Sequence, residues 1–412
     1  MKTLLTENSK DKMVEDTVFK VVAEAMNAVK IHGDKVVNAT LGSLSDENGN
    51  LVTMESVWEE YKNIDVKELA SYSASFRGEA DYIEAIEKWV FQGVKKEFFN
   101  GIVATPGGSG AVSTTFKNYL GRGETVLLPE IGWGPYWLMA KEFGFETEEY
   151  SLFDGNAFNM ESFKCRCKGI MEKQGKILAV INDPCHNPTG YSLTTDEWKN
   201  IIDFMEELSK KGPVILLDDI AYMDFSKERE RVIKVMEELN DRNKNFLVVF
   251  AFSISKTLTA YGLRVGAQVA VSSSQEVIDD FIRANEISAR AVWSNIPKGG
   301  MKLFARLILD KNKKEAVSRE RNSYIELLKE RSDIFISEAH EVGLPVYPYR
   351  EGFFVTIKVE DVDKQKEIHK KLKENLIYTI LVNKGIRVAV CSLPKRKIKG
   401  LAKRIKEAFL DE

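Results

Sequence analysis

The chain has 412 residues, 44% of them hydrophobic and 29% charged, with a formal net charge of −3 and a pI near 6.0. That is room for two to three domains around a large buried core in an ordinary globular composition, and the charge balance gives no bulk electrostatic case for nucleic acid or an anionic membrane. Four cysteines and four scattered histidines, His32, His186, His340 and His369, provide neither a disulfide framework nor the spacing of a metal site.

The N-terminal MKTLLTENSKDKMVED has no apolar signal core, and no apolar run approaches the ~18 residues a membrane span needs, so a cytoplasmic protein is expected. Residues 15–31 place Val18, Val22, Met26 and Val29 on one helical face that ends at Gly33. The segment VVNATLGSL follows, with Gly42 suited to a loop needing positive φ, and then the turn Asp46-Glu-Asn-Gly49. A helix is expected over 53–63, a loop over 72–78 and a helix over 79–99. Next, Thr105-Pro-Gly107-Gly108-Ser109-Gly opens a helix running through Phe116 and Leu120. Glycines at a helix N-terminus let an anion approach exposed N–H groups. The stretch is no P-loop, lacking Gly-Lys-Ser/Thr, and it does not fit G-x-G-x-x-G.

After a strand at 125–129 comes Ile131-Gly-Trp133-Gly-Pro-Tyr136. Strands at 145–150, 176–182, 214–218, 246–252 and 265–271 then alternate with helices at 159–174, 194–211, 226–239 and 274–290, and Thr194–Glu197 reads as a capping box. Alternation predicts an α/β fold with a mostly parallel sheet covered by helices on both faces. Ligands of such sheets sit at the carboxyl ends of the strands, where Asn187, Asp219 and Lys256 fall. A helical stretch over 297–342, interrupted at 310–314, leads to a second unit with strands at 352–357 and 386–390 and a helix near 362–375. The basic run after Pro394 continues with Leu401, Ile405 and Phe409 on one face, which predicts a solvated amphipathic helix. With no linker apparent, the expected division is 1–52 as an N-terminal arm and part of a small domain, 53–300 as a large domain, and 301–412 as the rest of the small one.

The centre of the sequence is FLVVFAFSISKTLTAYGLRVG, residues 246–266. Its apolar run suits a strand buried on both faces, and it delivers Lys256 to the strand's end with Arg264 eight residues on. A cation at the mouth of an apolar strand is costly to leave unpaired. Upstream stand Asn187-Pro-Thr-Gly190 and Asp219-Ile-Ala-Tyr222, with Asp219 lying 32 residues after Asn187 and Lys256 a further 37 on. In order and spacing, these four elements resemble the class I pyridoxal-phosphate aminotransferases of fold type I, in their aspartate and aromatic branch.

The resemblance implies a large domain with a seven-stranded-type sheet sandwiched by helices and a smaller α/β domain built from both chain ends. It implies pyridoxal 5′-phosphate as cofactor, condensed with the amine of Lys256, which then serves as general base. Asp219 would face the pyridine nitrogen, Tyr222 and Asn187 the phenolic oxygen, and Trp133 the ring face. Gly107, Gly108, Ser109, Ser253 and Arg264 would hold the phosphate, with Ser255 the alternative serine, and Tyr72 would reach the phosphate of a neighbouring subunit. Arg387 would grip the substrate α-carboxylate, with Gly42, Trp133 and Asn187 beside the substrate, and Arg290 would cross a homodimer interface to a side-chain carboxylate. Two departures stand out. Trp-Gly-Pro-Tyr replaces the Trp-Gly-Asn-His of the best-known aspartate enzymes, so Tyr136 takes the place of a supporting histidine, and Ala291 and Trp293 replace a proline and a tyrosine.

The expected activity is amino transfer between a small amino acid, aspartate or glutamate and also aromatic ones, and a 2-oxo acid such as 2-oxoglutarate, by ping-pong turnover. The alternatives are an aminotransferase for aromatic or other neutral amino acids, a carbon–sulfur lyase of this fold, or a regulatory module that binds the cofactor without turnover. A nicotinamide dehydrogenase is disfavoured by the missing G-x-G-x-x-G.

Overall fold

The computed structural model describes residues 4–6, 9, 10, 12 and 17–409. Its central sheet is built from seven runs: β1 (Phe99–Thr105), β2 (Thr125–Pro129), β3 (Glu146–Tyr150), β4 (Ile177–Ile181), β5 (Val214–Asp219), β6 (Phe246–Ser253) and β7 (Gly266–Ser272). Their order is β1-β7-β6-β5-β4-β2-β3, and β7 runs antiparallel to both its neighbours while the remaining pairs are parallel. All residues of β4, β5, β6 and β7 are buried, which is why they read as near-continuous apolar runs rather than alternating ones. β3, at an edge, keeps Glu146, Glu148 and Glu149, charges that discourage pairing with another chain.

Three boundaries differ from expectation, each for a local reason. The helix expected over 79–99 stops at Val90, because Gly93 takes φ +85° and Phe99 opens β1, a strand not among those expected, whose first residue the expected helix took in. The helix expected from 226 starts at Arg229, because Ser226 Oγ and Lys227 N–H donate instead to the Glu351 carboxylate, at 2.8 and 3.0 Å. The interruption expected over 310–314 is a single residue: the Asp310 carboxylate accepts from the N–H groups of Asn312 and Lys313 and caps the Lys311–Glu341 helix.

The second unit holds β8 (Phe354–Lys358), β9 (Ile380–Val382) and β10 (Gly385–Ala389), antiparallel in the order β8-β10-β9. Val37–Asn38 pairs in parallel with Ile377–Tyr378, and Val37 and Ala39 share a core with Phe335, Ile368, Ile386 and Leu401. Arg331, 0% exposed, fastens this arrangement by donating to the carbonyls of Ser45, Asp46 and Cys391 and to the Glu47 carboxylate. Among the described residues, no helix is long and apolar enough to cross a membrane.

Candidate active site

The carboxyl ends of the parallel strands converge on one edge of the sheet. Gly107 follows β1, Trp133 follows β2, Asn182 and Asn187 follow β4, Asp219 ends β5 and Lys256 lies just beyond β6. Between them is a cleft of about 210 Å³, lined by Gly108, Ser109, Trp133, Asn187, Asp219 and Tyr222 on one side and by Ser253, Ser255, Lys256, Tyr261 and Arg264 on the other.

Lys256 Nζ donates to the Gly42 carbonyl at 2.6 Å and lies 4.5 Å from the ring centre of Tyr261 and 5.4 Å from that of Tyr222. Burial lowers its pKa to about 8; Arg387 and Arg264 push the same way, while Asp219 opposes them. At pH 7 about a tenth of this amine is therefore unprotonated and nucleophilic, far more than for an ordinary lysine. Asp219, also buried, has its pKa raised by burial and drawn back by its hydrogen bonds. Those bonds come from Tyr136 OH to Oδ2 at 2.7 Å and from Ala221 N–H to Oδ1 at 3.1 Å. Tyr136 is fully buried and meets Trp133 edge to face, with ring centres 5.3 Å apart. The tyrosine at the histidine's position thus contacts both the carboxylate and the tryptophan.

Anion-binding capacity lies at two places. Gly107, at φ +70°, opens the helix beside Arg264; a side chain there would strain the backbone, and its Cβ would fall 2.6 Å from Arg264 Nη2, displacing that guanidinium. Arg264 donates from Nη1 to Ser255 Oγ at 3.0 Å, whereas Ser253 Oγ accepts the Ser255 N–H at 3.2 Å. Both serines line the cleft, and Ser255 is the one the arginine touches. Arg387, from β10, reaches the same edge: its guanidinium donates to Asn187 Oδ1 at 3.3 Å and to the Thr40 carbonyl at 2.9 Å and lies 4.4 Å over the Phe354 ring. Its Nε is buried without a hydrogen-bond partner among the described residues.

Gly42 joins the site through its carbonyl, and a Cβ there would meet Phe354 Cζ at 3.0 Å, so packing within the chain already limits the position. Tyr72 and Arg290 do not reach their own chain's cleft. Tyr72 is 87% exposed, and Arg290 donates to Ser294 Oγ at 2.7 Å and stacks 4.9 Å over Phe76. Sequence reasoning missed Asn182, whose side chain donates to the Asp219 carbonyl and accepts the Asn187 N–H, and Tyr261, whose hydroxyl accepts the Leu44 N–H. An asparagine five residues before Asn187 was a visible but unspecific signal.

A seven-stranded sheet with one reversed strand, and a lysine cleft at its carboxyl edge, define an α/β protein with the aspartate aminotransferase-like fold. The chain belongs to the family described as aminotransferase class I and II, which matches residues 34–405. It is therefore an aminotransferase, and pyridoxal phosphate is the cofactor of this family. A solved aminotransferase from Anaerococcus prevotii is 33% identical, with a TM-score of 0.94 over 99% of both chains. An aspartate aminotransferase of Salmonella typhi is 23% identical over 314 residues, 74% of this chain and 77% of that one. An aromatic-amino-acid aminotransferase from Burkholderia pseudomallei, solved covalently bound to pyridoxal phosphate, shares the fold with a TM-score of 0.79 at 19% identity, over 98% of this chain and 100% of that one.

Proposed function

We propose that the chain moves amino groups between an acidic amino acid, aspartate or glutamate, and a 2-oxo acid such as 2-oxoglutarate, the first product leaving before the second substrate binds. The observation that carries this reading is a lysine of lowered pKa in a cleft lined by Asp219 and Arg264, with Arg387 held against the lining residue Asn187 and keeping a buried N–H uncommitted among the described residues.

The donor set fits pyridoxal phosphate. Arg264, Ser255, Ser253 and the N-terminus at Gly107, Gly108 and Ser109 would hold its phosphate, where the missing Cβ of Gly107 leaves a cradle. Asp219 would pair with the ring nitrogen, Asn187 and Tyr222 with the phenolic oxygen, and Trp133 would cover the ring. Bound there, the cofactor supplies the electron sink that makes the Cα proton of an amino acid removable. Lys256 Nζ, kept partly neutral by burial, takes that proton, a role worth roughly 10²–10⁴-fold in rate. Arg387 is pre-positioned by Asn187 and Thr40, so it orients a substrate carboxylate with little further ordering.

Tyr72 and Arg290, turned outward from their own cleft, support a homodimer in which each chain completes the other's site, Arg290 reading the side-chain carboxylate. The proposed division assigns 53–300 to the cofactor-binding domain and 1–52 with 301–412 to the small one, in line with the shared core of Val37, Ala39 and Ile386. A cytoplasmic location belongs to the same reading. The specificity test is kcat/KM for aspartate, glutamate, tyrosine and phenylalanine. Arg290→Leu is expected to cost aspartate and glutamate on the order of 10²-fold, from the few kcal/mol a broken carboxylate pair removes, and to spare phenylalanine. Unchanged aspartate turnover in that variant rejects the dicarboxylate reading and favours aromatic or other neutral substrates.

A further inference from the structure

A second cleft, of about 450 Å³, shares no lining residue with the first. It lies between Trp89 at the end of the Ala80–Val90 helix, the turn Met223–Phe225, Arg229, and the face of the Lys311–Glu341 helix that carries Ser318, Arg321, Asn322 and Ile325. Lys314, one turn before Ser318, lines an adjoining cleft that shares Gln92, Ser318 and Asn322 with this one, and its Nζ sits 5.3 Å over the Trp89 ring at the boundary. Arg321 sits over the same ring at 5.0 Å.

The charges here do not balance. Asp224 is already committed, accepting from Trp89 Nε1 at 3.1 Å and Thr257 Oγ1 at 2.6 Å. Glu326 pairs with Lys227 at 3.1 Å. Arg229 is satisfied by the carbonyls of Trp89, Val90 and Gln92, the end of a helix whose dipole favours a cation. Arg321 has no such partner. It is only 6% exposed, its Nε has no hydrogen-bond partner among the described residues, and Nη1 makes one long contact of 3.5 Å to the Thr257 carbonyl. No carboxylate forms an ion pair with Arg321 or Lys314 among the described residues; burial lowers the pKa of both, and Asp224, which lines the same cleft, offsets part of that for Arg321 through space. Stacking on an indole offsets only part of what a guanidinium loses on leaving water.

We propose that this cleft binds a small oxyanion group, phosphate or carboxylate, through Arg321 and Lys314, with Ser318 and Asn322 as neutral donors. Two cations stacked on one indole, a hydroxyl and an amide on successive turns of one helix form a donor set that an oxyanion satisfies and a cation or an apolar ligand does not. The site is close to the chemistry, since Thr257, whose carbonyl Arg321 touches, directly follows Lys256.

The test uses the cofactor-loaded enzyme, titrated calorimetrically with inorganic phosphate and, separately, with acetate. Saturable binding of one phosphate per chain is expected, weakened at least tenfold by Arg321→Gln and at least fivefold by Lys314→Gln and unaffected by Arg387→Leu; acetate, which can also occupy the substrate-carboxylate site, is titrated in the Arg387→Leu background. The tighter of the two anions identifies the group. Should Arg321→Gln not fold, Lys314→Gln and Asn322→Leu carry the test. Absence of saturable binding of either anion in the Arg387→Leu background, binding there that is indifferent to both Lys314→Gln and Asn322→Leu, or phosphate binding lost on Arg387→Leu alone would each overturn the proposal.

Discussion

Tyr136→Phe removes one oxygen and leaves the rest of the site in place. The ring stays fully buried against Trp133, so what is lost is the donor 2.7 Å from Asp219 Oδ2. A hydrogen bond to a buried charged group contributes roughly 1.5–3 kcal/mol, which corresponds to roughly 10- to 150-fold in an equilibrium or rate. The bond also holds the Asp219 pKa down against burial, so without it the carboxyl protonates more readily. If Asp219 serves as an anion beside the ring nitrogen, the loss divides between a weaker Kd for pyridoxal phosphate and a lower kcat, their product falling within that range. Fluorescence titration of the cofactor-free protein measures the first and steady-state turnover the second, with far-UV circular dichroism to confirm the fold. In an Asp219→Asn background the effect is expected to vanish, because the two side chains act through one bond. Kd and kcat both within twofold of wild type, or an undiminished effect in the Asn background, would refute the reasoning.

Borohydride reduction of the cofactor-loaded enzyme is expected to leave the cofactor's mass on the peptide bearing Lys256, detected by mass spectrometry; a tag on another lysine contradicts the assignment. Lys256 also predicts a pH signature in the cofactor-free protein. Its folded pKa of about 8 lies below the usual 10.5, so the buried cation costs stability below pH 8, and the cost shrinks as pH rises toward 10.5, where the unfolded chain holds the extra proton. The stability advantage of Lys256→Met should therefore fall from ~3 kcal/mol at neutral pH, at ~1.4 kcal/mol per pKa unit, toward zero in denaturant melts at high pH. Gly107→Ala places a Cβ 2.6 Å from Arg264 Nη2 on a backbone at φ +70°, and equilibrium dialysis should show cofactor affinity weakened at least tenfold. Arg331→Met takes the side-chain donor from the Ser45 carbonyl, while the Asp46 and Cys391 carbonyls keep the N–H groups of Gly49 and Ser45 and the half-exposed Glu47 keeps that of Lys395, so chemical denaturation should report a loss of about 1–3 kcal/mol.

What the sequence disclosed followed from burial on both faces of the sheet. β5 and β6 stand out as apolar runs because helices cover both sides, and Asp219 and Lys256 stand out because they end those runs. β1 was hidden for the converse reason: Phe99 and Asn100 are not buried, so its start resembled the tail of the preceding helix. The proximity of Arg387 to Asn187, 200 positions apart, was reached only through family likeness, since no local pattern encodes a contact between two units. The tyrosine contact to Asp219 was open in the sequence as a substitution at a known position, but whether its hydroxyl reached the carboxylate depended on how two loops pack. Asn182, Tyr261 and the buried Arg321 were missed because each has meaning only in three dimensions.

The pairing of Val37 with Ile377 bears on how the polypeptide is made. A growing chain on the ribosome can assemble strands β2 to β6 from neighbouring segments, but Val37 must wait, unpaired, for Ile377, 340 positions further along. Premature termination anywhere before that point leaves Val37 and Ala39 without their core, and fragments of this enzyme are expected to be sticky rather than merely inactive.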